Sequence, residues 1–184
     1  MPSNKPDRRQ RRPLSDTAAP SPRLRRALAG DIAFVVGLER RADYRPFINS
    51  TPAAEHLASL ENPDIRYLIL EANGAPAGYA ILAGLTSRNH CVQLRRIAVE
   101  RPGEGLGRQF CALLLAEVFD RLNAHRLHLD LFEDNERAER LYLSLGFRSE
   151  GLLREAERRG RTYRSLKVMA LLEHEYRRQP KERG

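Results

Sequence analysis

The stretch IAVERPGEGLGRQF, residues 97–110, places three glycines at alternate positions, Gly103, Gly105 and Gly107. An apolar run precedes them and a helical pattern follows. Strand, glycine turn and helix N-terminus together make an anion site. The first N–H groups of a helix have no internal partner, and the helix dipole puts partial positive charge there. Glycine accepts positive φ and lets the backbone approach a phosphate closely. Arg101 and Arg108 flank the turn and can add charge-assisted bonds. The P-loop pattern requires Lys-Ser/Thr after its last glycine, and Arg108-Gln109 stands there instead. The dinucleotide fingerprint G-x-G-x-x-G is also absent, because the third glycine comes one residue early. A plain glycine-rich turn is the alternative to a phosphate cradle.

The elements around that turn follow from periodicity. PRLRRAL reads as a short edge strand. GDIAFVVGLER reads as a helix with Asp31 as N-cap and Ile32, Val35, Val36 and Leu38 as its apolar positions. Residues 41–64 read as loop with one short helix over 52–61. IRYLILEA and AGYAILAGL form a hairpin about the turn NGAP, and CVQLRRIAV is a third strand. Phe110, Leu113, Leu114, Val118 and Leu122 predict a helix over 106–123. RLHLDLF alternates, with Leu127, Leu129 and Leu131 on one face and His128, Asp130 and Phe132 on the other. Ala138, Leu141, Tyr142 and Leu145 return to the helical period, and Gly146 suits its C-terminal end. FRSEGLLREA and RTYRSLKVMALL are two last strands around a loop at 157–161. The pattern predicts an α/β (α+β) layer with a mixed sheet.

The bulk numbers bound the rest. A chain of 184 residues with 41% hydrophobic and 30% charged residues suits one soluble domain. No run approaches the roughly 18 apolar residues of a membrane span. The basic start lacks the apolar core of a signal peptide. Cys91 and Cys111 give neither a disulfide framework nor metal-ligand spacing, so they read as small buried hydrophobes in a reducing cytoplasm. The formal charge of +8 is concentrated at the start, where residues 1–26 hold eight Lys/Arg against two Asp. Residues 1–22 read as a disordered basic tail, residues 23–178 as the domain, and residues 179–184 as a C-terminal tail. Contact with nucleic acid is expected only through the basic tail, no membrane partner is expected, and the chain is read as a monomer or homodimer.

A second motif gives the glycine turn its meaning. NERAERLYLSLGF, residues 135–147, follows a strand. Together with IAVERPGEGLGRQF it resembles the GCN5-related N-acetyltransferase (GNAT) family, which carries a Q/R-x-x-G-x-G/A turn and a later N-x-x-A-x-x-L-Y-x-x-L-G-F helix. The second motif matches at every defined position. In the first, Pro102 occupies the Q/R place and Arg101 lies one residue upstream. The closing GRTYRSLKVMALLEHEY is similar to the branch that includes ribosomal-protein N-terminal acetyltransferases.

The resemblance implies a mostly antiparallel central sheet, helices on both faces, and a splay between the two central strands. It implies acetyl-CoA as cosubstrate, no metal, and transfer to an amine on a peptide N-terminus, a lysine or a small molecule. The pyrophosphate would lie on the turn from Arg101 to Arg108, with N–H groups of Gly103, Gly105, Leu106, Gly107 and Arg108 as donors and Glu104 beside them. The backbone of Ile97, Ala98 and Val99 would pair with the pantetheine amides, and an N–H near Val99 would face the acetyl oxygen. Asn135 would bind the pantetheine arm. Tyr142 would protonate the leaving thiolate, since a phenol of ordinary pKa about 10 outlasts a thiol of about 8.5. Asp130, twelve residues before Tyr142, is the implied base, with His128, Glu133 and Glu100 as further candidates. A non-catalytic acyl-CoA-binding module is the competing reading.

Overall fold

A computed structural model describes residues 21–179, and its secondary structure runs from Arg23 to Arg178. The basic leader and the last five residues, where most of the tail expectations fall, lie outside the described residues. Seven strands form one sheet: β1 Arg23–Arg26, β2 Ile65–Ala72, β3 Ala75–Ala83, β4 Cys91–Val99, β5 Arg126–Phe132, β6 Arg148–Arg159 and β7 Thr162–Leu172. Their order is β1-β2-β3-β4-β5-β7-β6, and only β4 and β5 run parallel. The helices are α1 Ile32–Glu39, α2 Ala53–Leu60, α3 Leu106–Ala116, α4 Glu136–Ser144 and α5 Glu173–Arg178.

Helices cover both faces of the central strands. Consequently β2 reads as a continuous apolar run: Leu68 and Leu70 join one buried cluster with α3 and α4, while Tyr67 and Ile69 join another with α1. The β2–β3 hairpin closes through Asn73 and Gly74, both at positive φ, as a two-residue turn of matching twist demands. On β5, Leu127, Leu129 and Leu131 are buried on the α3/α4 side.

Three departures from the sequence pattern have physical causes. After Ala116 the α3 helix widens into a π-helical stretch over Glu117–Arg121, with Leu122 N–H donating to Glu117 C=O at 3.0 Å. The widening buries Phe119 beside Val118 and stacks it on Tyr176 at 4.9 Å. Asp31 does not cap α1 with its side chain; its carboxylate accepts from Leu28 N–H and pairs with Arg25. The β6–β7 hairpin is longer and tighter than expected, with strand extending to Arg159 and resuming at Thr162.

The feature that positions the site is a gap. β4 and β5 pair only at Cys91↔Arg126, Val92↔Leu127 and Gln93↔His128. Beyond them β4 stays with β3, with a bulge near Arg95, while β5 stays with β7. The strands therefore part from residue 94 on one side and 129 on the other.

Candidate active site

The glycine turn sits at the open end of the gap. Gly103 (φ +101°) and Gly105 (φ +80°) adopt backbone conformations that side chains strain. A Cβ at either would meet nothing within 4 Å, so conformation rather than crowding selects glycine there. Gly105 caps α3, and its carbonyl accepts from Arg108 N–H at 3.1 Å and from Gln109 N–H at 3.3 Å. Arg108 N–H is therefore engaged within the turn, on a carbonyl that it shares with Gln109 N–H. The Arg108 guanidinium donates to Ser144 Oγ at 3.0 Å. Arg101 lies 3.8 Å from Glu104 with its side chain 67% exposed. Arg101, Glu104 and Leu106 do not line the adjoining cavity, whereas Gly103, Gly105, Gly107 and Arg108 do.

That cavity, about 710 Å³, fills the gap and reaches both faces of the sheet. Its β4 wall is not uniformly free. Glu100 N–H donates to Ala77 C=O at 2.8 Å, and alternation turns the main chain of Ala98 the same way, toward Tyr79 of β3. Ala98 therefore has no main-chain groups to offer the gap, contrary to expectation; Ile97 and Val99 face it. Val99 is occupied in turn. Its N–H donates to the Tyr44 hydroxyl at 2.9 Å, and that hydroxyl donates to Val99 C=O at 2.8 Å. The acetyl-oxygen donor expected near Val99 is thus engaged by a phenol, and Ile97 keeps its groups turned toward the gap.

Tyr142 and Asp130 lie on opposite faces. Tyr142, on α4, belongs to the buried cluster of the β5 leucines and lines the cavity. Its hydroxyl has no hydrogen-bond partner among the described residues, and burial pushes the phenol well above its ordinary range. Asp130 also lines the cavity, from the face opposite the leucines, and accepts from Gln93 Nε2 at 3.2 Å. That bond spans β4 and β5 where they begin to part. Asn135 lines the cavity while its Oδ1 caps α4 by accepting from Ala138 N–H at 3.2 Å, leaving its amide N–H₂ for other partners. His128, Glu133 and Glu100 do not line it. Burial, then nearby Arg126, holds the His128 imidazole below its ordinary pKa. Burial pushes the Cys111 thiol up to about 12.

Tyr44, Phe132 and Glu39 were not foreseen as site residues from sequence, although the segments 40–62 and 157–161 were expected to hold the acceptor. Tyr44 lies in the α1–α2 connection, which also holds Arg41 on Glu100 C=O and Pro46 C=O under Arg164 Nη1 at 2.7 Å. Phe132, assigned by alternation to the open face, is buried because the Arg159 and Arg164 guanidinium groups lie over its ring at 4.8 and 3.9 Å. Beneath the connection, buried Glu39 accepts from Tyr79 Oη at 2.9 Å, Arg96 Nη1 at 2.7 Å and Thr51 N–H at 2.8 Å, and contacts His56 Nε2 at 3.3 Å. A sequence signal for Glu39 existed: it continues the Ile32, Val35, Val36 stripe of α1, where a carboxylate must find partners.

Residues 35–147, more than half of the chain, match the family model described as Acetyltransferase (GNAT) family. The chain belongs to the GNAT family. It is 27% identical over 167 residues to the spermidine N(1)-acetyltransferase of Escherichia coli K12, covering 86% of this chain and 90% of that protein. In fold it is similar to the Vibrio cholerae spermidine N-acetyltransferase in complex with CoA and spermine (TM-score 0.77, 23% identity, 84% of this chain and 97% of that one). A dodecameric structure of the Vibrio enzyme gives a TM-score of 0.73 at 23% identity, covering 86% of this chain and 98% of that one. This GNAT chain is an N-acetyltransferase that uses acetyl-CoA as cosubstrate and an amine as acceptor. Its residues fit that cosubstrate: glycine amides at a helix start, a strand edge turned into a gap, and an unpartnered phenol beside it.

Proposed function

We propose that this chain transfers an acetyl group directly to a primary amine in a ternary complex, with Tyr142 as general acid and Asp130 as proton acceptor. One observation carries the reading: a single cavity through the parted strands is lined by the glycine turn, Ile97, Tyr142 and Asp130. The turn holds the pyrophosphate through the N–H groups of Gly103, Gly105 and Gly107, which line the cavity. Ile97 offers main-chain groups to an amide of the pantetheine arm, and the Asn135 amide offers donors to its carbonyls. Asp130 takes the amine proton through water as the C–N bond forms. The C–S bond breaks, and Tyr142 donates its O–H to the departing sulfur. Cys111 takes no part, because a thiol raised to about 12 is not a nucleophile at neutral pH. Residues 23–178 carry this activity, and the acetyltransferase relatives named for spermidine make small amines part of any acceptor panel.

The test is thiol release from acetyl-CoA across peptides, small amines and polyamines, beside calorimetry with coenzyme A. Tyr142→Phe is expected to lower kcat by about a hundred-fold with coenzyme A affinity retained. Binding of coenzyme A without turnover of any amine would instead mark a cofactor-binding module.

A further inference from the structure

A second cavity, about 510 Å³, adjoins the first and shares Ile48 and Asn49 with it. Its charged lining is Arg40, Arg45, Arg159 and Glu39, with Ser50 and Asn49 as neutral polar groups. Glu39 does not balance the arginines, because its carboxylate is fully buried and its oxygens are engaged by Tyr79, Arg96, Thr51 N–H and His56. Arg40 and Arg45 have no ion-pair partner among the described residues. Arg159 is held at this boundary by Asn49, by Pro46 C=O and by Glu157, 3.3 Å from its Nε, while its ring-facing side covers Phe132 of the first cavity. Of the carboxylates lining the first cavity, Asp43 is paired with Arg41 and Glu157 with Arg159, while Asp130 accepts only from the neutral Gln93 amide and stays available for the amine proton. A polycation entering here would meet surplus arginine, whereas an anion would meet guanidinium donors and a hydroxyl.

We propose that this arginine-lined cavity receives an anionic group, carboxylate or phosphate, of the molecule that presents the amine to the first cavity. The acceptor is then an amine-bearing anion. The inference rests on the acetyltransferase reading and names the acceptor class for that same site. The α1–α2 connection and the β6–β7 hairpin build the cavity together, so acceptor choice resides in elements outside the motifs that hold the cosubstrate.

The experiment uses the full chain with acetyl-CoA and matched acceptors: short peptides with Asp/Glu near the N-terminus against their Asn/Gln counterparts, a phosphoserine peptide against its serine counterpart, and spermidine. The acidic or phosphorylated member is expected to exceed its neutral counterpart about ten-fold in kcat/KM, and to exceed spermidine. The better of the two anionic pairs identifies carboxylate or phosphate as the natural group. Arg45→Ala and Arg40→Ala are each expected to collapse that ratio through KM, with kcat and coenzyme A affinity retained, and Arg45→Lys to recover part of it. Preference for spermidine, or variants that slow acidic and neutral acceptors alike, would overturn the proposal and leave the transferase reading intact. No thiol release with any acceptor would remove both.

Discussion

Tyr142 is a phenol whose only strong environmental influence is desolvation. It is 6% exposed, and burial raises its pKa above the ordinary value of 10, with the adjacent Cys111 adding to the same direction. A raised pKa on an acid favours the protonated form, so the group stays able to donate at every pH where the amine is free. The rate should therefore rise with pH as the acceptor amine loses its proton and then level off. We expect no falling limb in kcat/KM up to pH 10, the ordinary tyrosine value. A pH–rate profile that turns down between pH 8 and 10, and loses that limb in Tyr142→Phe, would contradict this environment. Asp130, the proposed proton acceptor, is exposed and accepts from Gln93 across the point of separation.

At the scale of elements, the α1–α2 connection straps the gap. Tyr44 ties it to Val99 of β4, and Asn49 and Pro46 tie it to Glu157, Arg159 and Arg164 of the hairpin. The Tyr44 hydroxyl occupies both main-chain groups of Val99, so if the pantetheine arm pairs with Val99 the hydroxyl competes with it. Tyr44→Phe removes the competitor. Calorimetry with coenzyme A should show tighter binding, by up to about ten-fold, the free energy of roughly one to two neutral hydrogen bonds. Unchanged or weaker binding would mean that Val99 is not a cosubstrate contact. This strap also marks the limit of what sequence displays. The Asn73-Gly74 turn, the leucine face of β5 and the α4 motif are local patterns within a few residues, and each appears in the structure where its residues place it. Tyr44 and Val99 lie 55 positions apart and Asn49 and Arg159 lie 110 apart, so no local period announces them. Arg108 shows both cases: its place beside the turn was legible, while its tether to Ser144 depended on how α3 and α4 pack. The π-helical stretch was hidden because Val118 and Leu122 satisfy the α period equally well.

At the scale of the whole molecule, the basic leader lies apart from the cavities. Residues 1–20 carry five Lys/Arg against two Asp, a surplus of three within the net +8. The sheet begins after them, at Arg23. There β1 is anchored by four register pairs to β2 and by Arg25, whose guanidinium bonds Glu71 at 2.7 Å and Asp31 at 2.6 Å. None of the cavity walls named above comes from before residue 39. A chain beginning at residue 21 should therefore fold and turn over as the full chain does. Its melting temperature should shift by less than about 2 °C, the effect of well under 1 kcal/mol in a domain of this size. Its kcat/KM should be unchanged for acidic and neutral acceptors alike, while its retention on a polyanion matrix should weaken with a shallower salt dependence. A selective loss of turnover on long acidic peptides would instead make the leader an arm of the acceptor site. The arginines that choose the acceptor would then extend beyond Arg40 and Arg45 into residues 1–20, and the division of the chain at residue 23 would have to be withdrawn.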